Sequence, residues 1–134
     1  MKDKRTVSAP EAADWGTLPY CQGVVSGGFL FISGQLGMDQ KTGKPAEGIH
    51  AQAESILTQI RGILAAAGCT FDDVVQTTCY LVNRARDYDG FNEVYKKYFT
   101  DRSNYPARAT VEVKGLAPGY VLEIHAVARC AEAG

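Results

Sequence analysis

Two tracts near the C-terminal end, Ala107 to Val113 and Tyr120 to Cys130, alternate apolar side chains with polar ones residue by residue. Side chains two apart on an extended chain share a face, so this pattern commits both tracts to β-strands whose apolar face must be covered. One face carries Ala107, Ala109, Val111 and Val113, with Leu122, Ile124, Ala126, Ala128 and Cys130 as counterparts; it is expected to meet helices. The opposite face carries Arg108, Thr110 and Glu112, then Val121, Glu123, His125, Val127 and Arg129. Pattern alone leaves that second face open to two readings, a solvated sheet surface with incidental ion pairs or the wall of a site. The intervening Lys114-Gly115-Leu116-Ala117-Pro118-Gly119 reads as a loop.

The cover is present earlier in the chain. Ile49, Ala53, Ile56, Leu57, Ile60, Leu64 and Ala67 fall on one stripe of a 3.6-residue period that stops at Gly68, which predicts a helix. Gly62 inside it costs about 1 kcal/mol relative to alanine, so a close neighbour is expected there. A second helix is predicted with Asp87 or Asp89 as its cap, with Phe91, Val94, Tyr95, Tyr98 and Phe99 on one face, and with Pro106 as its limit. Tyr20 to Val25 and Phe29 to Ser33 read as strands joined around Ser26-Gly27-Gly28, and Val74 to Val82 as another. Residues 1–19, with Pro10, Trp15, Gly16 and Pro19, read as an ordered but irregular arm.

The expected fold class is therefore α+β, with both helices on one face of a sheet and the other face bare. At 134 residues the chain fits a single domain spanning 1–134. Folding at this size buries roughly two-thirds of the unfolded surface, enough for one core and too little to spare the bare face a partner. The apolar runs end well short of the roughly 18 residues a membrane span needs, and Met1-Lys2-Asp3-Lys4-Arg5 leads into no apolar segment. A cytoplasmic location is the expectation.

Fourteen basic side chains against fifteen acidic ones give a formal charge of -1, which disfavours a wide electrostatic grip on nucleic acid. Cys21, Cys69, Cys79 and Cys130 form no C-x-x-C pair, and His50 and His125 are far apart. Four reduced thiols, no metal site and no cofactor are expected. Arg108 follows Pro106-Ala107, at a strand start where a loop can wall a pocket. Its planar fork suits a carboxylate.

Several segments, in order, carry a resemblance: Leu18-Pro19-Tyr20-Cys21-Gln22-Gly23, Phe31-Ile32-Ser33-Gly34-Gln35-Leu36-Gly37, Ala65-Ala66-Ala67-Gly68-Cys69, Tyr105-Pro106-Ala107-Arg108-Ala109-Thr110-Val111-Glu112-Val113 and Leu122-Glu123-Ile124-His125-Ala126-Val127-Ala128. From about Ser8 to Arg129 the chain resembles the RidA (YjgF-type) reactive intermediate deaminase family, whose members are also described as endoribonucleases and translation inhibitors. The resemblance implies a chorismate-mutase-like fold and a homotrimer with sheets facing inward and clefts between subunits. It also implies cofactor-independent hydrolysis of enamine and imine acids, such as 2-aminoacrylate, to 2-keto acids and ammonia.

Carried over by position, the resemblance assigns Arg108 to the substrate carboxylate and Glu123 to the attacking water. Tyr20, Ser33, Gly34, Gln35, Asn92 and Thr110 fall where the family lines its cleft, some through backbone groups. The chain departs from the family pattern at Thr110, where cysteine or a small residue is frequent, at His125, where a second glutamate is frequent, and at Thr17-Leu18. These departures, with Trp15 and Leu18 in the arm, bear on substrate size. Alternative readings are a deaminase for a larger enamine acid such as 2-aminomuconate, an endoribonuclease, or a non-catalytic sensor of 2-keto acids.

Overall fold

A computed structural model describes residues 3–130. Its strands are β1 (Arg5–Val7), β2 (Gly23–Ser26), β3 (Phe29–Leu36), β4 (Met38–Asp39), β5 (Lys44–Pro45), β6 (Val74–Leu81), β7 (Ala107–Glu112) and β8 (Leu122–Arg129), with helices α1 (Gly48–Ala66) and α2 (Arg84–Tyr95). Six strands make one sheet in the order β1-β2-β3-β8-β6-β7, and β4 and β5 form a separate ribbon. Within the large sheet only β6 and β7 run parallel. The α+β expectation holds, with both helices packed on the same sheet face.

The β2–β3 turn is built on Gly27 and Gly28, with φ of 61° and 82°. Two consecutive positive φ angles are what a tight two-residue hairpin needs, and glycine adopts them without a Cβ clash. The arm is less irregular than its composition suggests. Arg5, Thr6 and Val7 register against Val25, Val24 and Gly23, so the arm contributes an edge strand. Further along, Glu11 packs directly over Gly62 of α1, where a Cβ would lie 2.8 Å from the Glu11 Cβ. The close neighbour expected at Gly62 is the arm itself.

α1 buries Ile56, Leu57, Ile60, Ile63 and Leu64 against Leu30, Ile32, Leu122, Ile124 and Ala126 of the sheet and Phe91 and Val94 of α2. It closes as its sequence predicts: Gly68 (φ 78°) donates to the Ala65 carbonyl at 3.0 Å and Cys69 to the Leu64 carbonyl at 2.8 Å, a Schellman arrangement. The same helix carries two buried amides. Gln52 donates to the carbonyls of Ala46 and Gly119, each at 3.0 Å, and accepts from the Val121 N–H at 2.9 Å. Gln59 donates to the Leu36 carbonyl at 2.9 Å and accepts from the Ala13 N–H at 3.0 Å. Seven residues apart on one helix, the two glutamines tie the arm, the end of β3 and the loop before β8 to a single rod.

Three expectations are corrected. α2 begins at Arg84, capped by Asn83, whose side chain accepts from the Arg86 N–H at 3.0 Å; Asp87 and Asp89 lie inside the helix. An asparagine with an acidic first turn is as good a start signal as the aspartates. The thiols are not all free: Cys69 and Cys130 form a disulfide, with Cα atoms 5.8 Å apart, while Cys21 and Cys79 are unpaired. The turn at Gly68 directs Cys69 back toward the end of β8, a juxtaposition invisible in a spacing of 61 residues.

The third correction concerns β7. Ala107, Ala109 and Val111 were expected under the helices and are exposed on the opposite face. The last two strands are not neighbours, because β6 lies between them. Pairing of Thr77 with Arg108 and Cys79 with Thr110 puts Arg108 and Thr110 on the face of buried Thr77 and Cys79, the helix face. β8 follows its expected alternation, with Leu122, Ile124, Ala126 and Ala128 buried.

Replacing Gln52 with leucine would leave two carbonyls and an N–H without partners, so Gln52→Leu is expected to cost about 3 kcal/mol or more in urea unfolding. Thiol titration in denaturant without reductant should count two thiols, Cys21 and Cys79, rising to four after reduction. Four thiols before reduction would refute the disulfide.

Candidate active site

Arg108 enters from the edge strand β7 and lies beneath α2. Its Nε donates to Thr110 Oγ1 at 2.7 Å and one Nη2 hydrogen goes to Asn92 Oδ1, also at 2.7 Å. The guanidinium carbon stands 4.6 Å from the Tyr95 ring centroid, 5.0 Å from Phe91 and 5.8 Å from Tyr88. The aromatic faces are a favourable bed for a cation and exclude water from one side of it. Two of its five N–H donors are committed to neutral partners, and among the described residues no carboxylate pairs with it. Three donors remain for an incoming anion. The hollow in front of them is about 270 Å³, lined by Asn92, Tyr95, Lys96, Phe99, Tyr105, Pro106 and Arg108 itself.

The groups behind Arg108 are held in their neutral forms. Burial pushes the Tyr95 hydroxyl up to about 12, and that hydroxyl shares a hydrogen bond with Thr77 Oγ1 at 2.8 Å. Burial likewise raises the Cys79 thiol to about 11, outweighing the opposing pull of the Arg108 charge and of hydrogen bonds from Thr77 and Thr110. A thiol beside an arginine is usually an activated one; this thiol is too buried to ionise.

Glu123 occupies a different place. It pairs with Tyr80 across β6–β8, on the face away from the helices, while Arg108 pairs with Thr77 on the helix face. The two residues that the resemblance joins in one cleft therefore lie on opposite faces of this chain's sheet. On its own face Glu123 Oε2 lies 2.6 Å from His125 Nε2, and the Tyr80 ring packs against the imidazole with centroids 5.0 Å apart. Both polar groups rest on Gly34, where the β3 register shifts between Ile32 and Gln35; a Cβ there would collide with Glu123 and His125. A bulge and a glycine together open a floor for two side chains.

The remaining predicted residues divide between the two places. Asn92 and Thr110 stand with Arg108. Tyr20 and Gly34 stand on the Glu123 side, bordering a second hollow of about 210 Å³ with Trp15, Leu18, Leu36 and Ala117. Ser33 donates its hydroxyl to the Cys21 carbonyl at 2.5 Å, bracing the segment that leads into β2. Gln35 is only 2% exposed and donates to the Ser33 carbonyl at 2.9 Å, so its side chain supports the bulge from the interior. Sequence reasoning missed the aromatic bed under Arg108, although Tyr88, Asn92 and Tyr95 at helical spacing carried the signal. Among the described residues no three His, Cys, Asp or Glu side chains are grouped to hold a metal ion, and no helix is long and apolar enough to cross a membrane.

The profile of the Endoribonuclease L-PSP family matches residues 8–130. The human protein named 2-iminobutanoate/2-iminopropanoate deaminase is 42% identical over 124 residues, covering 92% of this chain and 85% of its own. The Salmonella typhimurium protein of the same name is 39% identical, covering 92% and 93%. Among solved structures, RidA from the Antarctic bacterium Psychrobacter sp. PAMC 21119 superposes with a TM-score of 0.83 at 38% identity, covering 93% of this chain and 98% of that one.

With its thiol near 11, Cys79 holds roughly a hundredfold less thiolate at pH 8 than a thiol at its ordinary 9.0. Iodoacetamide at that pH is expected to modify the partly exposed Cys21 and to leave Cys79 intact until the protein unfolds, as peptide mapping would report.

Proposed function

The chain belongs to the Endoribonuclease L-PSP (YjgF/RidA) family, and on that premise we propose that it is a hydrolytic deaminase of small 2-imino acids whose site is assembled from two copies of the chain. The observation that carries this reading is Arg108: a cation bedded on aromatic rings, with three donors uncommitted, at the mouth of a hollow about 270 Å³ in volume. Its fork fits the carboxylate of an imino acid, and the hollow's size suits a compact substrate.

The second copy follows from the sheet. Arg108 and Glu123 cannot meet across one chain, since the sheet lies between them. The outer face on which Glu123 stands is partly apolar, with the alanines of β7 exposed and with Phe31 48% and Val111 42% exposed. Such a face needs cover, and a neighbouring copy that supplies it can bring its own Glu123 to the first copy's β7 edge. A closed ring of three, with sheets inward, does this at every interface.

In the proposed reaction the imine carbon is already electrophilic, so the protein mainly orients. Arg108 holds the carboxylate through its free N–H groups. Glu123 of the partner subunit accepts a proton from a water as its oxygen bonds to the imine carbon and the C=N electron pair moves to nitrogen; the proton passes on to that nitrogen, and the carbinolamine O–H proton follows as the C–N bond breaks, releasing ammonia and the 2-keto acid and restoring the carboxylate. An enamine enters by tautomerising to the imine. The reading agrees with the names of the human and Salmonella relatives. An RNA-directed reading has less support in the molecule, whose formal charge is -1.

The test generates 2-aminoacrylate with a serine dehydratase and follows release of the keto acid. Arg108→Ala is expected to lower kcat/KM about 10- to 150-fold, the equivalent of the roughly 1.5–3 kcal/mol of a charge-assisted contact. Arg108→Ala and Glu123→Gln proteins, each impaired alone, should recover about a quarter of the parental sites when refolded together, because random mixing pairs an intact arginine with an intact glutamate at one interface in four. No recovery on mixing would place both groups in one subunit's site and refute the shared cleft.

A further inference from the structure

His125 is hydrogen-bonded to Glu123, and the proposed reaction leaves it without a task. We infer that His125 is a positioning residue for Glu123: its Nε2–H holds Oε2 of the carboxylate, so that Oε1 is the oxygen presented to the water. The inference rests on the deaminase reading above and adds to it a residue at which this chain departs from its family's frequent glutamate.

The geometry comes from the strand. Glu123 and His125 are two apart on β8, so both project from the same face. The Nε2–Oε2 distance is 2.6 Å, a close hydrogen-bond contact. An ionised carboxylate only accepts, so the hydrogen in this bond belongs to the imidazole. Gly34 lies beneath the pair with no side chain to hold either group away from the other, and the Tyr80 ring closes against the imidazole at 5.0 Å, restricting its rotation. A glutamate left alone on a sheet surface samples many rotamers, and ordering it costs conformational entropy. Here the histidine has already restricted it.

A second carboxylate at position 125 would supply no donor and would repel the first. The imidazole supplies a donor instead, leaving Glu123 with one oxygen bound and one free. The side chains of His125 and Glu123 are 43% and 26% exposed in the single chain, so their pairing adds little to folding stability. Its effect is confined to the orientation of the carboxylate, and that makes it separable by experiment.

The parent, His125→Leu and His125→Gln proteins are compared in the 2-aminoacrylate assay, alone and in a Glu123→Gln background. His125→Leu is expected to lower kcat about 10-fold with KM within about twofold and the melting temperature within about 2 °C. His125→Gln, which keeps an N–H donor, should recover most of the loss, and in the Glu123→Gln background the leucine should have no further effect. Imidazole nitrogen NMR of the parent should show the proton on Nε2 and a shift of that signal on Glu123→Gln. Unchanged kcat in His125→Leu, a loss that persists undiminished without Glu123, or a bare Nε2 would each overturn the inference and leave the deaminase reading standing. A parent protein that does not accelerate keto acid release would overturn the deaminase reading, and the positioning role with it.

Discussion

The pairing of β6 with both of its neighbours governs everything else about the site. β6 runs parallel to β7 and antiparallel to β8, and its own alternation assigns Thr77 and Cys79 to the helices and Thr78 and Tyr80 to the outside. Arg108 inherits the first face and Glu123 and His125 the second. A slip of one residue in either ladder would put arginine and carboxylate on the same surface of the sheet. The register keeps them apart and leaves each incomplete.

Keeping Arg108 unpaired requires compensation for its charge, and α2 supplies it from ring faces and two neutral oxygens. Arg86, on the same helix, shows the alternative. It is bound by two hydrogen bonds to the Asp87 carboxylate, at 2.9 and 2.8 Å, and has its counter-ion within its own chain. Two arginines, one on α2 and one on β7 beneath it, thus have opposite roles. One is satisfied internally and serves the surface, while the other is stabilised without a counter-ion and remains open to an anion from outside.

Much of the architecture was legible because it rests on local rules: the stripe from Ile49 to Ala67, the paired glycines of the β2–β3 turn and the alternation of β8. What was not legible depends on which strand lies beside which. Alanines at 107 and 109 read as core by polarity, but at a sheet edge small side chains equally suit a flat contact surface, and only the β6 register distinguishes the two. Arg108 and Glu123 were identifiable as residues, through the resemblance, and their separation was not, because alternation gives a face within each strand and says nothing about the strand inserted between them. The inward side chain of Gln35 was not legible for a related reason: the register shift between Ile32 and Gln35 breaks strict alternation and turns a polar side chain inward.

The link between Cys69 and Cys130 joins the end of the α1 turn to the end of β8. It makes β6, α2, β7 and β8 a covalent macrocycle containing Asn92, Arg108, Thr110, Glu123 and His125, whereas Tyr20, Ser33 and Gly34 belong to the open tail. For a separation of 61 residues, closing such a ring removes about 4 kcal/mol of chain entropy from the denatured state. Reduction would therefore act on the denatured ensemble and leave the geometry around the guanidinium and the carboxylate as it is, with thermal lifetime tied to redox surroundings and the chemistry indifferent to them.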